Sequence, residues 1–272
     1  MANAGYVFTF QRLRFPVPFS AAAVVDLAPP IPLALALGSI AAYGLLFFFY
    51  FPSLAPRAPR APAAAAAVER AATLHHAALF LYSFLCFAAT LAHVAARGEL
   101  ADAAAFFCAP LPPALRALSL TFTLSKLVEW GDTAVLFARG KGWREVGFLH
   151  SYHHATTFCL FLLVVNFPST EKLGMLLNGF VHTLMYYHFA FRLPACMRPV
   201  ITAAQIVQLV FVTWAWWVTP RVCPAHAAFP SEQPLEFAAP FLMVPVYTLF
   251  FLEFFARSYV CPARKAAKTA RD

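Results

Sequence analysis

Charge is scarce in this chain. Lysine and arginine number 20 and aspartate and glutamate 12, so 12% of the 272 residues are charged while 61% are hydrophobic. Soluble domains usually carry about 25% charged residues. With a mean hydropathy of +0.68, too little polar surface is available to face water, which argues against a soluble domain and for lipid as the solvent. The first twenty residues lack a long apolar core and a clear cleavage site, so no cleaved signal peptide is expected. No internal repeat is evident. The net charge of +8 does not point to nucleic acid, because the basic residues sit mostly in short loops and at the C-terminus, where topology signals lie.

The chain is instead rich in long apolar runs. A membrane helix needs about 20 mostly apolar residues. Seven such spans are expected, at about Ile31–Phe51, Ala72–Ala95, Ala114–Phe137, Val146–Asn166, Leu173–Arg192, Pro199–Val218 and Ala238–Val260. The expected fold is an all-α, polytopic membrane protein forming one domain over residues 1–272. The third and fifth runs are the least apolar. Between the first two, Pro52–Ala67 reads as a semi-extended Ala/Pro-rich linker without chemistry.

Orientation follows from Lys and Arg in alternate loops. Five (Arg12, Arg14, Arg97, Lys172, Arg221) fall on the side of the N-terminus, and thirteen fall on the other. The positive side stays in the cytosol, so the C-terminus, with its tail 261–272, is expected there. The N-terminal tail 1–30 is expected to be lumenal or exterior.

Ionisable groups inside a membrane are costly and usually functional. The third span carries Lys126, Glu129, Asp132 and Thr133, at spacings that share a helical face. The fourth opens with His150, His153 and His154. The fifth contains Asn178, His182, Met185, Tyr186 and His188, and the sixth Thr202, Gln205 and Gln208. Given alternating directions, all four stripes fall between the bilayer middle and its cytosolic side, which implies one hydrated pocket. Polar residues also serve as glue between membrane helices, at about 1 kcal/mol each. That bland reading competes evenly for Thr202, Gln205 and Gln208, and least for three histidines on one face. His75 and His76 begin the second span and are read as supporting or interfacial.

Two chemistries suit such histidines. Imidazoles bind iron or zinc, but a di-iron lipid desaturase or hydroxylase needs about eight histidines in three clusters. This chain has nine, with one dense cluster, which leaves a mononuclear zinc site open. Imidazole is also a nucleophile and general base near neutral pH, able to take an acyl group from a thioester. A third alternative is a proton-coupled transporter using Lys126, Glu129 and Asp132 as a relay.

The four stripes resemble the boxes of the ELO family of very-long-chain fatty acid elongases. Lys126-Leu-Val-Glu129-Trp-Gly-Asp132-Thr133 is similar to its KxxExxDT motif, and His150-Ser-Tyr-His153-His154 to its HxxHH box. Asn178, His182, Met185 and Tyr186 are similar to its NxxxHxxMYxYY box, and Thr202, Gln205 and Gln208 to its TxxQxxQ box. His188 and Phe189 replace the two terminal tyrosines of the third box, which bears on substrate or chain length. The tail KTARD lacks a clean dilysine retrieval signal, and the alanine-rich composition is similar to that of plant ELO-like proteins.

The resemblance implies a condensing acyltransferase of the endoplasmic reticulum, a very-long-chain 3-oxoacyl-CoA synthase. It joins acyl-CoA and malonyl-CoA to give 3-ketoacyl-CoA, carbon dioxide and CoA. It implies that the last six spans form a barrel around an acyl tunnel. By the match, His153 and His182 are the acyl-carrying or proton-handling pair, with His153 favoured as nucleophile and His150 and His154 assisting. Lys126, Glu129, Asp132, Asn178, Tyr186, Gln205 and Gln208 are candidate substrate-binding residues. Arg139, Lys141, Arg144 and Arg192 are candidates for the CoA phosphates, a role that competes with topology charges. No metal or redox cofactor is required. Partners implied are the bilayer, the ketoacyl reductase, dehydratase and enoyl reductase of the cycle, and a second copy of the chain. Cys108 and Cys223 fall in loops both assigned to an oxidising lumen and are expected to form a disulfide. Cys86 and Cys159 are read as packing residues.

Overall fold

The computed structural model describes residues 13–16, 24–27, 31–56, 59–164, 168–232 and 234–260. The C-terminal tail and most of the N-terminal tail lie outside the described residues. A short antiparallel hairpin of β1 (Leu13–Pro16) and β2 (Val24–Leu27) precedes the helices. Among the described residues every other regular element is helical.

Helix α1 (Ile31–Leu45) runs on through a π-turn to Leu54. Helix α2 spans Pro62–Ala96 and short α3 spans Ala103–Cys108. Helices α4 (Pro113–Val128) and α5 (Trp130–Ala138) meet at Glu129. Helix α6 covers Trp143–Val164, and α7 (Pro168–Leu173) continues through a π-turn into α8 (Gly179–Phe191). Helix α9 spans Met197–Val222, α10 Phe229–Glu232 and α11 Pro234–Phe255.

Among the described residues, four helical stretches are long and apolar enough to cross a membrane: Ala34–Leu54, Pro62–Ala96, Met197–Val222 and Pro234–Val260. The helices built from α4–α5, α6 and α7–α8 carry most of the buried polar groups, and those groups lower their hydropathy.

The linker reading needs correction. Helix α2 begins at Pro62, and the alanine run Ala63–Ala67 is helical. Alanine is the strongest helix former, and proline is well placed at a first helical position. Only a few residues then connect the first two helices. Arg60 ties this connection down by donating to the carbonyls of Leu54, at 2.9 Å, and Ala138.

Each long helix packs on its neighbours: α2 on α8, α8 on α9, α9 on α11, α11 on α6, α6 on α4, and α4 on α2. Helix α1 lies outside this sequence of contacts, against α6. At the end of the bundle where α2 finishes, Lys172 is buried. Its Nζ lies 2.5 Å from Glu99 Oε2 and donates to the Phe106 carbonyl at 2.8 Å. Lys172, counted above as a topology charge, is therefore an interior cation. At the same end Cys108 and Cys223 are joined by a disulfide across 115 residues. The pair sits among Phe107, Leu173 and Ala215. Cys86 and Cys159 are buried free thiols.

Candidate active site

Helix α6 changes direction at Gly147, whose φ of 76° and ψ of 163° lie in a region open essentially only to glycine. The helix restarts just before His150, and its turns then stack the three histidines. The His150 and His154 rings lie 4.1 Å apart, and those of His153 and His154 lie 5.5 Å apart.

The α4–α5 junction faces them. Lys126 Nζ donates to Glu129 Oε1 at 2.6 Å and to Asn178 Oδ1 at 2.9 Å. Its ammonium also lies 4.3 Å from the centre of the Phe122 ring, so an otherwise costly buried cation is held by a carboxylate, an amide and aromatic faces. His182 Nδ1 is 3.4 Å from the same Glu129 oxygen, short of hydrogen-bond geometry. His153 lies within electrostatic range of His182, Glu129, Lys126 and His150. Residues from α4, α6 and α8 thus meet in one buried cluster.

A second carboxylate organises the opposite flank. Asp132 Oδ1 accepts from His75 Nε2 at 2.9 Å and lies 3.5 Å from His76 Nε2, while Tyr186 donates to Oδ2 at 2.8 Å. His75 reaches Asp132 because position 131 is glycine: a Cβ there would fall 2.6 Å from His75 Cε1. The next residue, Thr133, shares a 2.9 Å hydrogen bond with His150 Nε2 and a 3.0 Å one with the Tyr43 hydroxyl. Trp130 Nε1 donates to the His154 carbonyl at 2.9 Å.

Four contributors are missed or underrated by the sequence alone. Tyr43 comes from α1, outside the residues carrying the family boxes, and nothing in the sequence sets its hydroxyl apart from those of Ser39 and Tyr50 in the same apolar run. His75 and His76 were assigned a bland supporting place, yet both converge on Asp132. Tyr247 of α11 is 1% exposed, lies 5.2 Å from the His153 ring and shares a 2.6 Å hydrogen bond with Thr156. The two adjacent histidines were the legible signal. Tyr247 offered none.

The remaining candidates divide. Gln205 Nε2 contacts Met185 Sδ at 3.5 Å, and Gln208 Oε1 is a buried acceptor without a protein donor among the described residues. Thr202 bonds back to the Arg198 carbonyl at 3.2 Å and so acts locally. Lys126, Glu129 and Asp132 are closed into internal pairs, which suits positioning better than direct substrate contact. Arg139 is gripped by Glu69 through two bonds of 2.9 and 2.8 Å, and Lys141 pairs with Glu145 at 3.0 Å. The Gly142 N–H and the Lys141 ammonium hold the exposed Glu145 carboxyl below its usual range. Arg144 and Arg192 form no salt bridge with a described acid, although the Arg192 charge acts on Glu69 at longer range. Phe189 packs against His76 and Tyr186, at 5.4 and 6.0 Å between ring centres.

The sequence matches the GNS1/SUR4 (ELO) family profile over residues 33–267. It is 30% identical over 172 residues to mouse very long chain fatty acid elongase 3, covering 58% of each chain. It is 26% identical over 160 residues to a putative fatty acid elongase 4 of Caenorhabditis elegans, covering 57% of this chain and 54% of that one. It is 34% identical over 154 residues to fatty acid elongase 3 of Trypanosoma brucei brucei, covering 54% and 50%. The matches therefore span about half the length of these relatives. With the profile covering most of its length and all four polar boxes in buried or half-buried helices, the chain belongs to the ELO family.

Proposed function

We propose that this protein is the condensing enzyme of a fatty acid elongation cycle, working through an acyl-histidine intermediate. The observation that supports the reading is that His153 of α6 lies within electrostatic range of His182 of α8 and of Glu129 at the α4–α5 junction. In the first step an imidazole nitrogen of His153 attacks the carbonyl carbon of an acyl-CoA thioester. The carbon–sulfur bond breaks, the acyl group stays on nitrogen, and CoA leaves as the thiol after taking the imidazole proton through His182. In the second step malonyl-CoA loses carbon dioxide. The resulting enolate carbon attacks the held acyl carbon, and the carbon–nitrogen bond breaks. His153 regains a proton, and the product is a 3-ketoacyl-CoA two carbons longer.

The Gln208 carbonyl is free to accept from substrate, and the Gln205 amide or Asn178 amide is suited to a developing enolate oxygen. His150, fixed by Thr133, and His154 support the nucleophile. Because Arg139 and Lys141 are engaged by acids, Arg144 and Arg192 are the better candidates for CoA phosphates. Neither step requires a metal or redox cofactor.

The rest of the reading follows from this role. The whole chain forms one seven-span domain, with α2 to α11 closing a barrel around the acyl tail and α1 outside. The neighbour contacts of the helices support that arrangement. The protein resides in the endoplasmic reticulum membrane, N-terminus lumenal and C-terminus cytosolic. It works with the reductases and dehydratase of the cycle, and a second copy is a further partner. His153→Ala should abolish condensation, assayed with malonyl-CoA in membranes, while insertion stays normal. Full activity in that variant would refute the nucleophile role.

A further inference from the structure

We propose that His75, His76 and Asp132 form a binding site for a divalent cation of the zinc class, distinct from the histidine box. Three observations support it. First, the donor set is of the right kind: two imidazoles and one carboxylate, whose ligand atoms lie within 4.8 Å of one another. Two neutral nitrogens and one carboxylate oxygen leave a fourth position open, the arrangement of zinc sites that keep a water.

Second, the spacing is metric. Ligands about 2.0–2.1 Å from a tetrahedral zinc sit about 3.3 Å from each other. Asp132 Oδ1 lies 2.9 Å from His75 Nε2 and 3.5 Å from His76 Nε2, so small shifts bring both onto that value. A carboxylate needing only hydrogen bonds would be satisfied by His75 and Tyr186. His76, 4% exposed, nevertheless brings a second imidazole nitrogen, Nε2, to the same oxygen at 3.5 Å.

Third, the site is built and reachable. Neighbouring residues on a helix diverge by about 100°, so His75 and His76 converge on one oxygen only because Gly131 admits the His75 ring against α5. The His75 side chain keeps 21% exposure, which gives an ion a path from solvent. Tyr186 on the other carboxylate oxygen orients the ligand from behind, as supporting partners of metal ligands do.

The test uses the full chain in detergent, without a polyhistidine tag, stripped with chelator and titrated with cobalt(II). The readout is the visible spectrum and bound metal per chain, so it is independent of the condensation reading. The expected result is one ion per chain with the intense bands of a tetrahedral site. These bands should persist in His150→Gln and disappear in His75→Gln and in the double variant His75→Gln/His76→Gln. Absence of tetrahedral bands in the unsubstituted chain would overturn the proposal without recourse to any variant. Unchanged binding in His75→Gln would equally overturn it, by placing the ion on other histidines.

Discussion

At the scale of single residues, the buried carboxylates explain most of the arrangement. Glu129 holds Lys126 and faces His182, while Asp132 gathers His75, His76 and Tyr186. Removing one member of a buried pair leaves the other charge uncompensated, at a cost of about 3–5 kcal/mol. Lys126→Met should destabilise by that amount. Lys126→Met/Glu129→Gln should be milder, measured by equilibrium unfolding in mixed micelles. Additive losses would show that the two do not act as a pair. Gly131→Ala should cost about 1–3 kcal/mol by overpacking against His75, and clearly less in a His75→Ala background. Equal costs in both backgrounds would mean that the ring does not occupy that space. The polar boxes themselves were legible, because residues at spacings of three and four share a helix face. The partners of Asp132 were not, since nothing in local spacing says which distant histidine meets a given carboxylate.

At the scale of elements, period and composition located the helices, and their interruptions escaped. Neither proline nor glycine stands at Glu129 where α4 and α5 meet, and Gly131, the nearest glycine, lies inside α5. The alanine run before residue 72 reads as linker from its prolines and arginines, and alanine's helix propensity prevails over both. Gly147 was visible as a glycine, but its role in redirecting α6 towards the pocket needed the backbone angles. The packing of α3 onto α7 and α9 carries its own expectation. Lys172→Met should lower stability by about 3–5 kcal/mol as a broken buried pair, and Glu99→Gln should recover part of that loss. A neutral Lys172→Met in the same unfolding assay would contradict the interior placement of this cation.

At the scale of the whole molecule, low charge and long apolar runs pointed to membrane helices. The closure of contacts between α2 and α8 was invisible, because it joins segments about a hundred residues apart. The Cys108–Cys223 disulfide ties the same end of the bundle across 115 residues. Constraining so long a loop in the unfolded chain is worth about 5 kcal/mol on the chain-entropy account. Cys108→Ser/Cys223→Ser should lower stability by that amount, and peptide mapping without reductant should recover the two peptides linked. Separate peptides would remove the constraint.

The proposed reaction puts the acyl group on His153. Purified protein incubated with a long-chain acyl-CoA, with malonyl-CoA withheld, should gain the mass of one acyl chain. Fragmentation should place that mass on His153, and malonyl-CoA should discharge it as 3-ketoacyl-CoA. An unmodified His153 under conditions where added malonyl-CoA gives rapid condensation would exclude the acyl-histidine intermediate.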